Sequence, residues 1–327
     1  MKLSRKIAFS LVPLVVVFGG GELGARLTGW PAAQHDLPFE HNSPFWVTDP
    51  SLAEQSFPHR ETGGSFLVST DPQGLRWPIH DQDPTGDAFR MMFLGCSTTF
   101  GWGVDDALTY PALVESTLQA QGHRKVQVIN GGQPGHTSFQ GAWLYDTVGA
   151  AYHPDLVFFG YVVQDARKAA YSDASQALLQ QDHRLLKQSL LYKSRAYLGL
   201  RTLIDRWRIE DKERADGGEQ GVYRVSREDY VDAIRAFQRR VQAHGAQLVL
   251  FDFPLERSGY TAEHRRLVRI AADQLSLPHL DIQAAIERAS DDQTLYFPKD
   301  PGHANAAGHA LIADHVVRFL QDKDLLP

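Results

Sequence analysis

Apolar residues form five short, nearly uninterrupted runs between residues 89 and 282, and longer mixed segments separate them. The runs lie at Phe89–Leu94, Val126–Asn130, Leu156–Tyr161, Gln247–Asp252 and Leu277–Ile282. Runs of this length without polar alternation fit strands that are buried on both faces of a sheet. Because helical patterns separate the runs, the sequence predicts parallel βαβ units and an α/β fold with a mostly parallel five-stranded sheet.

Helix start signals mark the segments that separate or follow these strands. Thr109 is placed to cap a helix that carries proline in its first turn, and Ser226 with Asp229 has the spacing of a capping box. Thr261 and Asn305 mark the starts of two further helices. Residues 166–217 differ from this alternation, since they are polar, rich in arginine and lysine, and without a strand pattern. We expect a helical insertion there, within a domain that spans residues 89–322.

Proline dominates the stretch before the first predicted strand. Eight of the 17 prolines lie in residues 30–88, a density that excludes long helices. Phe66–Val68 is a candidate edge strand, and Asp71–Gly74 has the composition of a turn. We interpret residues 30–88 as an extended wrap that leads into the domain.

The N-terminus has a basic cluster followed by an apolar run. Lys2, Arg5 and Lys6 precede Ile7–Phe18, as in a signal peptide or a short signal anchor covering residues 1–29. The pair Ala32-Ala33 is a faint candidate for a cleavage site, and a buried N-terminal helix is the alternative without a membrane. The pattern predicts a single-pass anchor in a bacterial cytoplasmic membrane, with the domain outside the cytoplasm, or secretion if the signal is cleaved.

Composition and short motifs limit the partners and cofactors that the chain is expected to have. The formal net charge is −6, which disfavours nucleic acid as a partner. Cys96 is the single cysteine among 327 residues, so an internal disulfide and a cysteine-based zinc site are excluded. The sequence has neither a nucleotide-binding glycine pattern nor an HExxH-type metal motif, so we expect no cofactor and no metal.

Three residues could form a catalytic unit. Ser97 follows the first predicted strand in a tight turn, which would place its side chain and its own N–H at the carboxyl edge of the sheet. Asp300 and His303 lie three residues apart before the last helix, in a predicted loop. A serine nucleophile needs a base, and the base needs a partner that holds its tautomer. Taken singly, each residue also fits a plainer role, as a turn serine or as a surface or capping side chain.

These motifs resemble the blocks of the SGNH (GDSL-type) hydrolase superfamily, over about Phe89 to Leu320. The turn around Ser97 resembles the nucleophile block, and Asn130–Gly135 resembles the second block, whose glycine lines the oxyanion hole. The last block corresponds to Asp300 and His303. The resemblance implies a three-layer flavodoxin-like fold with a serine esterase site, in which the N–H groups of Ser97 and Gly135 and the amide of Gln164 hold the oxyanion. The short anchor also resembles bacterial membrane-anchored members.

The chain departs from the family pattern at two positions. Cys96 stands where the family usually has aspartate, and a cysteine nucleophile is the alternative to Ser97. Gln164, followed by Asp165, stands where the family usually has asparagine, so the donor is displaced by one methylene. Donors must lie within about 2.7–3.1 Å of the oxyanion to be effective.

The resulting prediction is a serine esterase that acts through an acyl-enzyme on an ester-bearing small molecule, lipid or glycan, for example on O-acyl groups of an envelope glycan. Two alternatives remain: an O-acyltransferase that uses the same residues, and a non-catalytic membrane-tethered binding module. Phe100, Trp102 and His136 fall beside the predicted site, either as lining of an acyl or sugar pocket or as packing residues.

Overall fold

The computed structural model describes residues 19–30, 46–59, 61–82, 87–169, 172–182, 194–197, 199, 200, 203, 221–252, 261–289 and 294–327. The chain divides into two compact units. One comprises residues 1–35 and 175–221, and the other comprises residues 36–174 and 222–327.

Within the first unit, residues 19–28 are helical, and Glu22 is the centre of their polar contacts. Its carboxylate pairs with Arg26 at 2.6 Å and accepts hydrogen bonds from the Ser194 hydroxyl at 2.7 Å and the Ala196 N–H at 3.0 Å. Among the described residues, none of the helices combines the length and the apolar character that a membrane span needs. Most of the predicted anchor, residues 1–18, lies outside the described part of the chain.

The larger unit is built on a five-stranded parallel sheet, as the apolar runs predict. Its strands are β3 (Phe89–Gly95), β4 (Val126–Gly132), β5 (Leu156–Gly160), β8 (Gln247–Asp252) and β9 (His279–Asp281). Their spatial order is β4-β3-β5-β8-β9, with every neighbouring pair parallel. This is the strand order of the flavodoxin-like fold, in which ligands bind at the carboxyl edge where the order reverses, here between β3 and β5.

Helices cover both faces of the sheet and give the three layers. Apart from the helical residues 195–197, 199, 200 and 203, the described α-helices from residue 97 onward are, in chain order, α1 (Ser97–Phe100), α2 (Tyr110–Ala120), α3 (Ser138–Thr147), α4 (Val162–Asp165), α5 (Asp173–Asp182), α6 (Tyr230–Ala243), α7 (Ala262–Leu275), α8 (Gln283–Ala289) and α9 (Ala306–Asp322). The apolar sides of α2, α8 and α9 pack on one face, and those of α3, α6 and α7 pack on the other.

The first strand shows why the apolar runs have no polar alternation. Met91 and Phe93 point into the core beneath α2 and α9, whereas Met92 and Leu94 point into the core on the opposite face. All four side chains are at most 1% exposed. A strand covered on both faces needs apolar residues at every position.

Two of the predicted helix caps are confirmed, and one is wrong. The Thr109 hydroxyl accepts from the Ala112 N–H, and the Asn305 side chain accepts from the Gly308 N–H. The predicted capping box of Ser226 and Asp229 does not form. Asp229 is the N-cap of α6 without a side-chain cap bond, and the Ser226 hydroxyl instead donates to the Glu228 carboxylate at 2.8 Å.

The described part of the proline-rich wrap contains a β-hairpin of its own. The strands β1 (Gln55–His59) and β2 (Gly64–Val68) pair antiparallel in a separate two-stranded sheet. The predicted edge strand Phe66–Val68 is therefore present, in this separate sheet and not in the main one. Its apolar face packs instead with Phe57 over Phe100, the last residue of α1. The predicted turn is present, with the Gly74 N–H donating to the Asp71 carbonyl at 3.0 Å.

A buried arginine ties this wrap to the loop after Ser97. Arg76 is fully buried, and its guanidinium lies 4.6 Å from the centre of the Phe100 ring. The five N–H donors of the guanidinium all have acceptors: the Asp106 carboxylate and the carbonyls of Leu67, Phe100, Gly101 and Val104. Loss of one partner from a buried charged pair typically costs about 3–5 kcal/mol, so Arg76 is a major stabilising contact of the wrap.

A short antiparallel pair flanks the insertion. The strand β6 (Lys168–Ala169) pairs with β7 (Val222–Tyr223), and α5 follows β6. The expectation that residues 166–217 contain no strand is therefore wrong at Lys168–Ala169. A two-residue strand leaves no periodicity to detect, and its pairing depends on a partner more than 50 residues away. Residues 170, 171, 183–193, 198, 201, 202 and 204–217 of the predicted insertion lie outside the described residues.

The remaining short strands, β10 (Tyr296–Phe297) and β11 (Asp300–Ala304), form a hairpin immediately before α9. This finding corrects the expectation that Asp300 and His303 lie in a loop. The pairing is irregular: Phe297 opposes Asp300, Tyr296 opposes Ala304, and the register shifts between them. A bulged hairpin with proline at two positions has no regular alternation, which explains why the sequence pattern suggests a loop.

Candidate active site

Three adjacent strands end in glycine at the same level of the sheet. Gly95 at the end of β3 is in register with Gly132 of β4 on one side and with Gly160 of β5 on the other. The turn into α1 lies directly on this row. A Cβ atom at Gly132 would collide with the backbone of Phe100, and one at Gly95 would collide with the Thr99 side chain. The glycines therefore allow α1 to sit against the sheet edge.

Ser97 is the first residue of α1 and lies at this edge. Cys96 is the N-cap in an extended conformation, and the first N–H used within the turn is that of Phe100, which donates to the Cys96 carbonyl at 3.0 Å. The N–H of Ser97 thus precedes the hydrogen-bonded part of the helix, as the first N–H groups of any helix do.

The structure brings Ser97, His303 and Asp300 together in one chain of hydrogen bonds. The Ser97 Oγ lies 2.7 Å from His303 Nε2, across 206 residues of sequence. The His303 Nδ1 lies 2.6 Å from Asp300 Oδ2. Because an ionised carboxylate can only accept, Nδ1 carries the proton, and Nε2 is left to accept from the serine hydroxyl. This tautomer is the one that a general base acting on serine requires.

The environment keeps Asp300 ionised. Partial burial acts to raise the pKa of its carboxyl group, but the hydrogen bond and charge of His303 act in the opposite direction, and the nearby His59 adds to them. The net effect places the pKa of Asp300 below its ordinary value. The carboxylate is therefore charged at neutral pH and can stabilise a protonated His303.

Cys96 is buried in the apolar core next to this chain of groups. It is 1% exposed and belongs to the apolar cluster beneath α3 and α6, with Leu94 and Tyr161. Burial raises the pKa of its thiol. Since the thiolate is the nucleophilic form, these surroundings suit a packing role and not a reactive cysteine.

The second predicted block ends in a turn after β4, and hydrogen bonds from Thr48 and Arg224 hold this turn in place. Gln133 is buried, and its side-chain oxygen accepts from the Thr48 N–H at 2.8 Å and from the Thr48 hydroxyl at 2.9 Å. Gly135 has a φ angle of +80°, a conformation that favours glycine, and its carbonyl accepts from Arg224 Nη1 at 2.8 Å.

Gln164 lies on α4, directly after the strand next to that of Ser97. Its side-chain oxygen accepts from the same Arg224 Nη1, at 3.2 Å. A guanidinium has donors only, so the amide oxygen must face Arg224, and the amide NH₂ is the end left to donate elsewhere. Arg224 thus links Gly135 and Gln164, the two predicted oxyanion-hole residues outside α1.

Arg224 was not identified from the sequence. It is held by a two-point contact with Asp173, at 3.0 Å from Nε and 2.9 Å from Nη2, and Nη2 also donates to Gln140. The residue follows β7, 60 positions after Gln164 and 89 after Gly135. In an arginine-rich stretch no local pattern distinguishes it, so only the folded chain reveals this contact.

Asp165, the second residue of the third block, lies beneath the site. It is fully buried, and its Oδ1 accepts from the Ser138 N–H at 2.7 Å, at the start of α3. Burial raises the pKa of Asp165 to about 7, although the Ser138 hydrogen bonds and the charge of Arg224 act to lower it. Asp165 therefore anchors α3 next to the Gly135 turn.

Two of the three aromatic residues predicted beside the site are packing residues. Phe100 is fully buried beneath the β1–β2 hairpin, and His136 is fully buried with its Nε2 2.9 Å from the Trp46 carbonyl. Trp102 is partly buried, with its ring centre 6.3 Å from that of His303. Trp102 is therefore the one of the three that borders the catalytic candidates.

Solved structures with similar folds include three hydrolases. A lipase/acylhydrolase from Enterococcus faecalis has a TM-score of 0.48 and 16% identity, over 72% of this chain and 96% of its own. LAE5, an alpha/beta hydrolase enzyme from the metagenome of Lake Arreo, Spain, has 0.47 and 19%, over 75% and 99%. Axe2, an acetylxylan esterase from Geobacillus stearothermophilus, has 0.48 and 17%, over 72% and 95%. At this level of similarity, none of them bears on the substrate of this chain.

Comparison with curated proteins gives no significant match. The profile of the GDSL-like lipase/acylhydrolase family, in contrast, matches residues 93–311. This range runs from β3 into α9 and includes the sheet and the Ser97, Gly135, Gln164, Asp300 and His303 positions. The chain therefore belongs to the GDSL-like lipase/acylhydrolase family, and it is an SGNH-type serine esterase.

Proposed function

We propose that this protein hydrolyses a carboxylic ester through an acyl-enzyme formed on Ser97. The observation that carries the proposal is the continuous hydrogen-bonded chain from Ser97 Oγ through His303 to Asp300, with contacts of 2.7 and 2.6 Å. Its groups lie at the edge of the sheet where the strand order reverses, the usual position of a ligand in this fold.

The reaction follows from the tautomer of His303. Nε2 takes the Ser97 proton while Oγ attacks the carbonyl carbon of the ester, and the carbonyl oxygen becomes an oxyanion. Collapse of this intermediate breaks the ester C–O bond, and Nε2 gives the proton to the departing alcohol. A water molecule then repeats the cycle on the acyl-enzyme, which releases the carboxylic acid and restores Ser97. Asp300 stabilises the protonated imidazole in both halves.

The oxyanion hole is assigned to the N–H groups of Ser97 and Gly135 and to the side-chain NH₂ of Gln164. Support for Gln164 comes from Arg224, which holds its oxygen and so orients its nitrogen away from the guanidinium. The same guanidinium holds the carbonyl of Gly135. Where the family usually has asparagine, this chain therefore combines the longer glutamine side chain with an arginine that contacts its oxygen. We assign Gln164 as a working donor and not as the mark of an inactive protein.

For the substrate, we propose small O-acyl groups on an envelope glycan or a lipid. The basic cluster and apolar run at the N-terminus favour an enzyme tethered to the outer face of the cytoplasmic membrane, where such esters are within reach. Acyl transfer to a sugar hydroxyl would share the first half of the reaction and differ only in the acceptor. A product assay with and without sugar acceptors distinguishes hydrolysis from transfer.

The triad is tested by single and double variants. We expect Ser97→Ala and His303→Ala each to lower turnover of p-nitrophenyl acetate by about 10⁴-fold or more, because each removes part of one catalytic unit. The double variant should be within about threefold of either single variant. Ser116→Ala, which changes an exposed serine on α2, is the control and should keep full activity. Multiplying losses in the double variant would show that the two residues act separately.

Gln164 is tested by a series of substitutions. Gln164→Ala should lower kcat by about 10²- to 10³-fold with little change in KM, the usual effect of removing one oxyanion donor. Gln164→Glu should be as poor or worse, because a carboxylate repels the developing negative charge. Gln164→Asn should lose at least about tenfold, since the shorter chain cannot contact both Arg224 and the oxyanion.

The melting temperature of each Gln164 variant serves as the control for folding. Unchanged turnover in Gln164→Ala would make Gln164 a structural residue and leave the oxyanion hole to backbone N–H groups.

The proposed topology is tested with reporters fused after Pro327. Lys2, Arg5 and Lys6 should stay in the cytoplasm by the positive-inside rule. A reporter that is active only in the periplasm should therefore be active in the fusion. Activity of a cytoplasmic reporter alone would contradict the topology, and it would leave the assignment of the triad unaffected.

A further inference from the structure

A buried histidine from the wrap lies next to the triad. His59 is the last residue of β1 and is 2% exposed. Its ring packs against Phe297 of the β10–β11 hairpin, with ring centres 4.6 Å apart. A Cβ atom at Gly103 would collide with both rings, so glycine is required where the loop after α1 passes them. His59 therefore packs between the loop after α1, which contains Gly103, and the hairpin that carries Asp300 and His303.

The tautomer of His59 follows from its contact with Thr62. The Thr62 N–H points at His59 Nδ1 from 3.2 Å, and the Thr62 hydroxyl lies 2.8 Å from the same nitrogen. A backbone N–H can only donate, so Nδ1 is the acceptor, and in the neutral ring the proton is on Nε2.

That Nε2–H faces the triad. Among the described residues it has no hydrogen-bond partner, and Asp300 Oδ2 lies 3.4 Å away. A buried N–H without an acceptor is unfavourable, and a carboxylate is the strongest acceptor that a protein offers. The same Oδ2 already accepts from His303 Nδ1. Hydrogen bonds of catalytic groups are often long in the free enzyme and shorten when the substrate binds.

We propose that His59 is a positioning residue, whose Nε2–H is a further donor to Asp300 and holds its carboxylate in line with His303. This inference rests on the proposed function. His303 and the Gly302 N–H already act on this carboxylate. A donor from His59 would further limit rotation of the carboxylate about its last bond. Asp300 must keep its position and its negative charge when His303 becomes protonated during the attack. A fixed N–H from His59 next to the carboxylate favours both the position and the charge.

A metal site is the competing interpretation of this cluster, because His59, Glu61 and Asp300 offer ligand atoms within 4.8 Å of one another. The ring geometry argues against it. Glu61 lies 3.8 Å from Nδ1 and Asp300 lies 3.4 Å from Nε2, so the two carboxylates face opposite nitrogens of one imidazole. Nδ1 is also occupied by Thr62, and Asp300 by His303.

Two substitutions separate positioning from simple packing. Gln places an amide nitrogen near the position of Nε2, so His59→Gln can still donate to Asp300. Asn places its amide oxygen near the position of Nδ1, so His59→Asn keeps the contact with Thr62 and loses the contact with Asp300. We expect His59→Asn to lower kcat by about 10- to 100-fold with little change in KM, and His59→Gln to stay within about threefold of the wild type.

The full chain is assayed with p-nitrophenyl acetate, with and without EDTA, and Ser97→Ala is measured alongside. The reverse order, in which His59→Asn is normal and His59→Gln is impaired, would assign a purely structural role through Thr62. Equal activity of both variants with the wild type, or a loss of wild-type activity in EDTA, would also overturn the proposal. If Ser97→Ala keeps the wild-type rate, the proposed function itself fails, which is distinct from a failure of the His59 assignment alone.

Discussion

The site depends on a close contact between the first turn after β3 and the ends of three parallel strands. Gly160, Gly95 and Gly132 lie side by side at the carboxyl edge. At Gly132 the backbone of α1 occupies the place of a side chain, and at Gly95 the Thr99 side chain does so. Because these positions have no side chains, α1 and its first residue, Ser97, can approach the sheet edge. The turn that contains Gly135 and the helix α4, which contains Gln164, follow the two neighbouring strands at the same edge. Any larger residue at Gly132 would push α1 away and separate these three groups.

Polar contacts between distant segments then set the geometry of the site. Arg76 fixes the wrap to the loop after Ser97, and Gln133 fixes it to the second block through Thr48. Arg224 joins the second and third blocks from the far end of the insertion. Each contact is buried or largely buried, where charged hydrogen bonds are strong and an unpaired group is costly. The wrap is therefore packed into the segments that carry the candidate site and is not only a connection to them.

The sequence predicts most of the buried strands and the helices that cover them, and fewer of the short elements around them. Strands buried on both faces leave long apolar runs, and Thr109 and Asn305 are strong helix-start signals, so these elements are correctly located. The capping box at Ser226 fails because the helix begins three residues later than expected, with Asp229 and not Ser226 as its N-cap. The hairpin that carries His303 is bulged and contains proline, so it has no strand periodicity to detect.

The residues of the candidate site also divide into those that the sequence predicts and those that it does not. Ser97, Gly135, Gln164, Asp300 and His303 are predicted because each stands in a local motif next to a predicted element. Arg224 and His59 have no such motif. Arg224 follows a two-residue strand whose partner lies more than 50 residues away, and His59 ends a local hairpin that packs against the distant Phe297. They contact the predicted site only in the folded chain, which is why physical contacts and not patterns reveal them.

Covalent labelling tests the central claim, that the His303-activated hydroxyl of Ser97 is the nucleophile. The full chain is treated with a fluorophosphonate, and the modified peptide is identified by mass spectrometry. The account predicts a single adduct on Ser97 that is absent from Ser97→Ala and strongly slowed in His303→Ala. An adduct on Cys96, or an esterase whose Ser97 remains unlabelled while its activity is lost, would contradict it.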